Sequence, residues 1–149
     1  MSKKILVTGS QGLLGSCIVS NNSYGFNFIS TTLNPLNRHL FKLDIRNGMD
    51  VKFFLEKHQP DVIINCAAYT DVDSSIENKM KCHDVNVNGL LNLLKYSNKR
   101  TKFVHISTDY VFDGCSAENF EESITRPINY YGKTKLESEN VLKGTSRKF

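Results

Sequence analysis

The chain has 149 residues, 40% hydrophobic and 23% charged, with three prolines. That length buries about two thirds of the unfolded surface, and the composition excludes collagen-like, mucin-like and long disordered chains. A net charge of +4, from 19 basic residues dispersed among 15 acidic ones, leaves no basic stripe for nucleic acid.

In chain order, Lys4 to Thr8 is a continuous apolar run that predicts a buried strand, followed at once by glycines. Leu13, Leu14, Cys17 and Ile18 then recur at helical spacing. Phe26 to Thr31 and His39 to Leu43 are the second and third strand candidates. Met49 to His58 predicts a helix closed by Gln59-Pro60, because proline disfavours helix at the residue before it. Asp61 to Cys66 is the fourth strand. Val85 to Tyr96 is helical with Leu90, Leu91 and Leu94 on its buried side, and Lys102 to Ser107 is the fifth strand. Asn129 to Lys143 is the last helix, with Gly144 as the residue after its end.

Strands alternating with helices imply a parallel sheet covered on both faces, and right-handed crossovers favour the α/β Rossmann-type doubly wound sheet. No repeat or linker divides the chain, so residues 1–149 are expected to form one domain. No apolar run approaches the roughly 20 residues that span a bilayer, so no membrane and no nucleic acid is expected as a partner. Cys17, Cys66, Cys82 and Cys115 lack C-x-x-C spacing, and no metal ligand cluster is read. Met1-Ser2-Lys3-Lys4 resembles the start of a signal peptide, but the apolar run behind it is only Ile5-Leu6-Val7. The expected setting is reduced and cytoplasmic.

In such sheets ligands bind beyond the carboxyl ends of the strands. Four informative segments fall there: Gly9 to Gly15, Asp44-Ile45, Asn65 to Tyr69, and Ser107 to Asp109. Gly9, Gly12 and Gly15 follow a strand and open a helix. Gly9 permits the tight turn, Gly12 lets backbone approach a pyrophosphate, and Gly15 lets the helix pack on the strand. The helix start offers free N–H groups to the phosphates. Three glycines at fixed offsets arise by chance only about 0.03 times in this composition; a glycine-rich turn without a ligand is the alternative.

Tyr131 and Lys135 stand at i and i+4 on one helical face. Chance supplies about 0.6 such pairs, so position must carry the argument. A phenol of pKa about 10 has to fall by roughly 3 units, about 4 kcal/mol, to exchange protons near pH 7. One cation about 4 Å away at an effective dielectric of 20 supplies roughly that, which assigns the task to Lys135. Tyr130 has only Thr134 at i+4. Ser107 and Thr108 are both placed to offer a hydroxyl to a substrate carbonyl, or else to cap a turn.

The G-x-x-G-x-x-G spacing resembles the extended short-chain dehydrogenase/reductase superfamily. Ser107 to Gly114 (S-T-D-Y-V-F-D-G), Pro60 to Asp73 (P-D-V-I-I-N-C-A-A-Y-T-D-V-D) and Tyr131 to Glu139 (Y-G-K-T-K-L-E-S-E) narrow the resemblance to the dTDP-4-dehydrorhamnose reductase family. By that resemblance, Gly12, Leu13 and Leu14 line the pyrophosphate of NADPH or NADH, and Asp44 and Ile45 hold the adenine. Ala67, Ala68 and Tyr69 flank its ribose and phosphates, and Thr31 stands where the ribose-binding acid is expected. Thr108 rather than Ser107 becomes the catalytic hydroxyl, Asp109 lies beside the sugar, Tyr131 donates the proton and Lys135 holds the nicotinamide ribose. Asn86 is implied to steady active-site water. The implied reaction is reduction of a 4-keto-6-deoxy nucleotide sugar. Family members continue into a C-terminal substrate domain. The 149 residues are therefore expected to lack it, to be weak or inactive alone, and to favour a homo-oligomer or a partner chain over the uncovered flank. Relatives that serve as non-catalytic subunits of methionine adenosyltransferase imply the alternative of a nucleotide-binding regulatory or scaffold subunit.

Overall fold

A computed structural model, which describes residues 2–149, contains a five-stranded parallel sheet in the order β3-β2-β1-β4-β5. The strands are β1 (Lys4–Thr8), β2 (Asn27–Thr32), β3 (Phe41–Lys42), β4 (Val62–Asn65) and β5 (Lys102–His105). The helices are α1 (Leu13–Ser20), α2 (Gly48–His58), α3 (Lys79–His83), α4 (Gly89–Tyr96) and α5 (Tyr130–Lys143). The step from β1 through α1 to β2 moves one way across the sheet. The steps through α2 to β4 and through α4 to β5 move the other way. Right-handed crossovers therefore set α1 on one face and α2 and α4 on the other. The doubly wound Rossmann-type sheet expected from the sequence is the fold observed. The chain order reverses between β1 and β4, where such sheets open their ligand crevice.

The central strands carry the core. Leu6, Ile63 and Phe103 pack with Val51 and Leu55 of α2, Leu90, Leu93 and Leu94 of α4, and Leu142 of α5. Asn47 caps α2, its Oδ1 accepting the N–H groups of Met49 and Asp50. Gln59, at φ 46°, closes that helix in the left-handed conformation before Pro60.

Several elements differ from expectation. β2 ends at Thr32, one residue later than predicted. β3 shrinks to two residues because the turn at Asn37 takes up the N–H groups of His39 and Leu40. Leu91 is 42% exposed, and Leu93 is buried in its place: positions 90, 93 and 94 make the helical stripe, and 91 turns away from it. Gly144 keeps right-handed helical dihedrals and donates to the Asn140 carbonyl, so α5 ends without a left-handed glycine. The predicted helix over Val85 to Tyr96 begins earlier, since α3 runs into α4 through a π-helical turn at Asp84–Asn88. No helix among the described residues is long and apolar enough to cross a membrane.

Candidate functional site

The turn between β1 and α1 is shaped by its glycines. Gly9 adopts φ +63°, and a Cβ there would stand 2.8 Å from the Ala67 nitrogen, so only glycine fits without strain. Its carbonyl accepts the Gly12 N–H at 2.9 Å, and buried Gly15 packs against the same carbonyl. Gly12 is the N-cap of α1 and provides no side-chain acceptor, and no acidic residue lies in the first turn. The helix start thus presents unsatisfied N–H groups and the positive end of its dipole.

That helix start opens into a cleft of about 820 Å³ at the carboxyl ends of the strands. Gly9, Gly12, Leu13, Leu14 and Gly15 line it from one side, and Asp44 and Ile45 from beyond β3. Ala67, Ala68 and Tyr69, after β4, line it too, as do Tyr131 and Lys135 of α5. These twelve sequence-predicted positions line one cleft. Thr31 does not join them. It is buried, and its hydroxyl donates to the Val7 carbonyl at 3.2 Å. Strand alternation turns it away from the rim, and Thr32 and Leu33 line the cleft instead. The Asp44 carboxylate is gripped by Arg46, with Nη2 to Oδ2 at 2.6 Å and Nε to Oδ1 at 2.9 Å. The Arg46 side chain holds the Asp44 carboxyl below its ordinary pKa.

Asn129 caps α5 by accepting the Gly132 N–H at 2.7 Å, and the Tyr131 N–H donates to Ser75 Oγ at 3.2 Å. A Cβ on Gly132 would meet the Tyr110 carbonyl oxygen at 2.2 Å, so glycine there lets the start of α5 close on Tyr110. The Tyr110 and Tyr131 rings then meet edge to face at 6.0 Å. Lys135 is 2% exposed, and its ammonium donates to the Ile106 carbonyl oxygen. Burial lowers the pKa of Lys135 to about 8, opposed mainly by Glu139. The Tyr131 phenol moves opposite to expectation: burial raises it, with the neighbouring Thr108 hydroxyl pulling down. Burial outweighs the groups that would lower this phenol, and the Lys135 ammonium makes its hydrogen bond to the Ile106 carbonyl.

The two candidate hydroxyls separate. Ser107 lines the cleft, its Oγ donating to Glu139 Oε1. Thr108 and Asp109 are not part of the cleft wall. Thr108 Oγ1 accepts the Tyr110 N–H and donates to Asp109 Oδ1, both at 3.2 Å, capping the 3-10 turn Asp109–Val111. Asn86 is saturated by the protein: Oδ1 accepts the Tyr69 N–H at 2.8 Å, while Nδ2 donates to the Tyr69 carbonyl and to Thr134 Oγ1. It clamps the Tyr69 loop and leaves no donor for water. Arg46, Asn65, Cys66 and Thr70 also line the cleft. The sequence signal for them was only their place beyond a strand end. Among the described residues no group of three or more His, Cys, Asp or Glu side chains is placed to hold a metal ion.

The family model described as the RmlD substrate binding domain matches residues 3–149. The chain is 35% identical over 144 residues to the dTDP-4-keto-6-deoxy-D-glucose reductase of Streptomyces niveus, covering 95% of this chain and 48% of that protein. It is 30% identical over 143 residues to methionine adenosyltransferase 2 subunit beta of Bos taurus, covering 95% and 43% respectively. The crystal structure of dTDP-4-dehydrorhamnose reductase from Bacillus anthracis in complex with NADP superimposes with a TM-score of 0.83 at 32% identity, over 96% of this chain and 50% of that one. The chain therefore spans about half the length of the relatives it matches. With the glycine turn, the switch-point cleft and the Tyr131–Lys135 helix in the places such a sheet requires, the chain belongs to the RmlD family, that of the dTDP-4-dehydrorhamnose reductases.

Proposed function

We propose that residues 1–149 are the cofactor-binding and catalytic half of an NADPH- or NADH-dependent reductase of 4-keto-6-deoxy nucleotide sugars, of the dTDP-4-dehydrorhamnose reductase type. The observation that carries this reading is one cleft lined both by the uncapped start of α1 and by Tyr131 and Lys135. The residues fit a dinucleotide: the first-turn N–H groups of α1 are left open to an anion, and Gly9 and Gly15 hold the turn close where a Cβ would collide with backbone. The dinucleotide, when bound, supplies the hydride. The chain's own residues then divide the remaining work. The start of α1 holds the diphosphate, Asp44 and Ile45 face the adenine, and Ala67, Ala68 and Tyr69 flank the ribose and phosphates. Lys135 donates to the nicotinamide ribose. Tyr131 gives its phenolic proton to the oxygen of the C4 carbonyl as the carbon takes up the hydride, leaving a hydroxyl on the sugar and a phenolate to be reprotonated from water. Thr108 and Asp109 meet the sugar from the rim.

The test is a fluorescence titration of NADPH with this chain. Binding is expected, and no change at millimolar protein overturns the reading. In a protein completed by the second half found in its relatives, Tyr131→Phe should cut turnover by about 10²-fold or more with NADPH binding kept. Retained turnover removes Tyr131 as the acid. A second reading, a non-catalytic nucleotide-binding subunit, is favoured by the match to methionine adenosyltransferase 2 subunit beta. Binding without turnover in the completed protein selects it. Exposed apolar side chains such as Phe120, Ile124 and Ile128 support a homo-oligomer or partner chain as the further proposed contact.

A further inference from the structure

A line of buried polar groups joins the end of β1 to Lys135. Thr8 and Asn65 are almost fully buried and Ser138 completely so, and among the described residues no buried side-chain nitrogen or oxygen lacks a hydrogen-bond partner. The Thr8 hydroxyl accepts the Ala67 N–H at 3.2 Å and donates to Asn65 Oδ1 at 2.6 Å. With its oxygen so used, Asn65 turns its amide nitrogen to His105 Nδ1 at 3.1 Å. An amide nitrogen can only donate, so Nδ1 accepts. The ring is neutral, because burial first and the Lys135 charge second push its pKa down to about 3. A neutral imidazole that accepts at Nδ1 carries its proton on Nε2. Nε2–H then donates to Ser138 Oγ at 3.1 Å, and Ser138 donates to the Lys135 carbonyl oxygen at 2.7 Å. Every bond in the series points the same way, from the cleft-lining Ala67 to the backbone of Lys135.

We propose that His105 is a positioning residue for Lys135: Asn65 fixes it as the Nε2–H tautomer, so the ring offers the Lys135 ammonium no acceptor and leaves the ammonium's donors to the cleft. Nε2 lies 3.5 Å from Lys135 Nζ. With the opposite tautomer, a lone pair at that distance would take one ammonium N–H and hold the side chain inward. With Nε2 protonated, the Ile106 carbonyl is the ammonium's protein acceptor, and two of its three donors remain for a ligand in the cleft that Lys135 lines. The other groups whose charge reaches the ammonium are Glu139 on its own helix, Cys82 on α3 and Cys66 beyond β4. None of them can replace His105 as the ring beside Nζ. The role in ligand binding rests on the reading of Lys135 given under Proposed function; the tautomer does not.

Long-range ¹H–¹⁵N NMR of the His105 ring between pH 5 and 9 reads the tautomer directly. The expected result is a bare Nδ1, a protonated Nε2 and no titration in that window. An Nδ1–H tautomer, or a midpoint near the ordinary histidine value, overturns the proposal. Asn65→Asp puts an acceptor where the donor was and should move the ring proton to Nδ1, turning Nε2 into a trap for Lys135. NADPH affinity, by fluorescence titration, should then fall about tenfold; affinity within about twofold of the original overturns the positioning role. Should that variant fail to fold, His105→Phe keeps the ring without its nitrogens. Removing the Nε2–H dipole should raise the Lys135 midpoint, followed by its ¹³Cε shift, by about half a unit or more, and an unmoved midpoint overturns the role. If the original chain binds no NADPH, the cofactor reading falls, while tautomer and Lys135 midpoint still decide what His105 does.

Discussion

Lys135 is the residue at which stability and proposed function oppose each other. Its ammonium is buried, and its pKa falls from 10.5 to about 8. Between those values the unfolded chain binds more protons than the folded one, so this group makes stability rise with pH across that window. Below pH 8 the whole cost of a buried charge is present, about 3 kcal/mol on the scale of 1.36 kcal/mol per pH unit. Lys135→Met should therefore raise the urea midpoint at pH 7, and the gain should shrink as the pH is taken from 8 to 10.5. A variant less stable than the original at pH 7 contradicts this. The i, i+4 spacing made the Tyr131–Lys135 pair legible from sequence, but not which acceptor the ammonium would take. That depends on the Ile106 carbonyl, which no side-chain pattern encodes. Thr31 fails for a similar reason. A strand end displaced by one residue reverses which side chain meets the rim, and the nearest punctuation, Asn34-Pro35, lies two residues beyond Thr32 and does not say which threonine ends the strand.

At the scale of elements, the punctuated boundaries were readable and the unpunctuated ones were not. Asn47 and Gln59-Pro60 bracket α2, and Asn129 opens α5, close to where sequence placed these ends. Nothing local marks the π-helical turn at Asp84–Asn88, because its cause is tertiary: Asn86 is drawn inward to Tyr69 and Thr134. Single π-helical turns inside α-helices are frequent at functional sites, and here the turn delivers a side chain that shapes the Tyr69 wall of the cleft. Asn86→Ala would leave the Tyr69 N–H without its acceptor. It should cost about 1–3 kcal/mol in urea denaturation. It should also speed amide exchange at Tyr69 selectively, and unchanged exchange there would show that Asn86 does not hold the loop.

For the molecule as a whole, topology follows from few rules, because short parallel strands with intervening helices and right-handed crossovers admit few orders. The closing of the sheet's β5 flank was not legible, since it depends on an arginine outside every predicted element. Arg147 donates to the carbonyl oxygens of Asn98, Leu94 and Ser97 at 2.6, 2.8 and 3.1 Å, and its guanidinium lies 5.6 Å from the centroid of the Phe103 ring. It thus satisfies the carbonyls left open at the end of α4. The same anchoring draws the neighbouring backbone against β5, where the Phe103 N–H donates to the Lys148 carbonyl oxygen at 3.1 Å. One side chain therefore ties helix end, edge strand and final segment together. Arg147→Ala should lower stability by about 1.5–3 kcal/mol, the range for hydrogen bonds made by a charged group. It should also accelerate hydrogen exchange at the Phe103 amide more than at Leu6 in the sheet centre. Arg147→Lys keeps the charge but cannot fork between carbonyls, and should fall between the two. If Phe103 exchanges equally slowly in all three proteins, the final segment is held by its own backbone and the guanidinium is not what closes the flank.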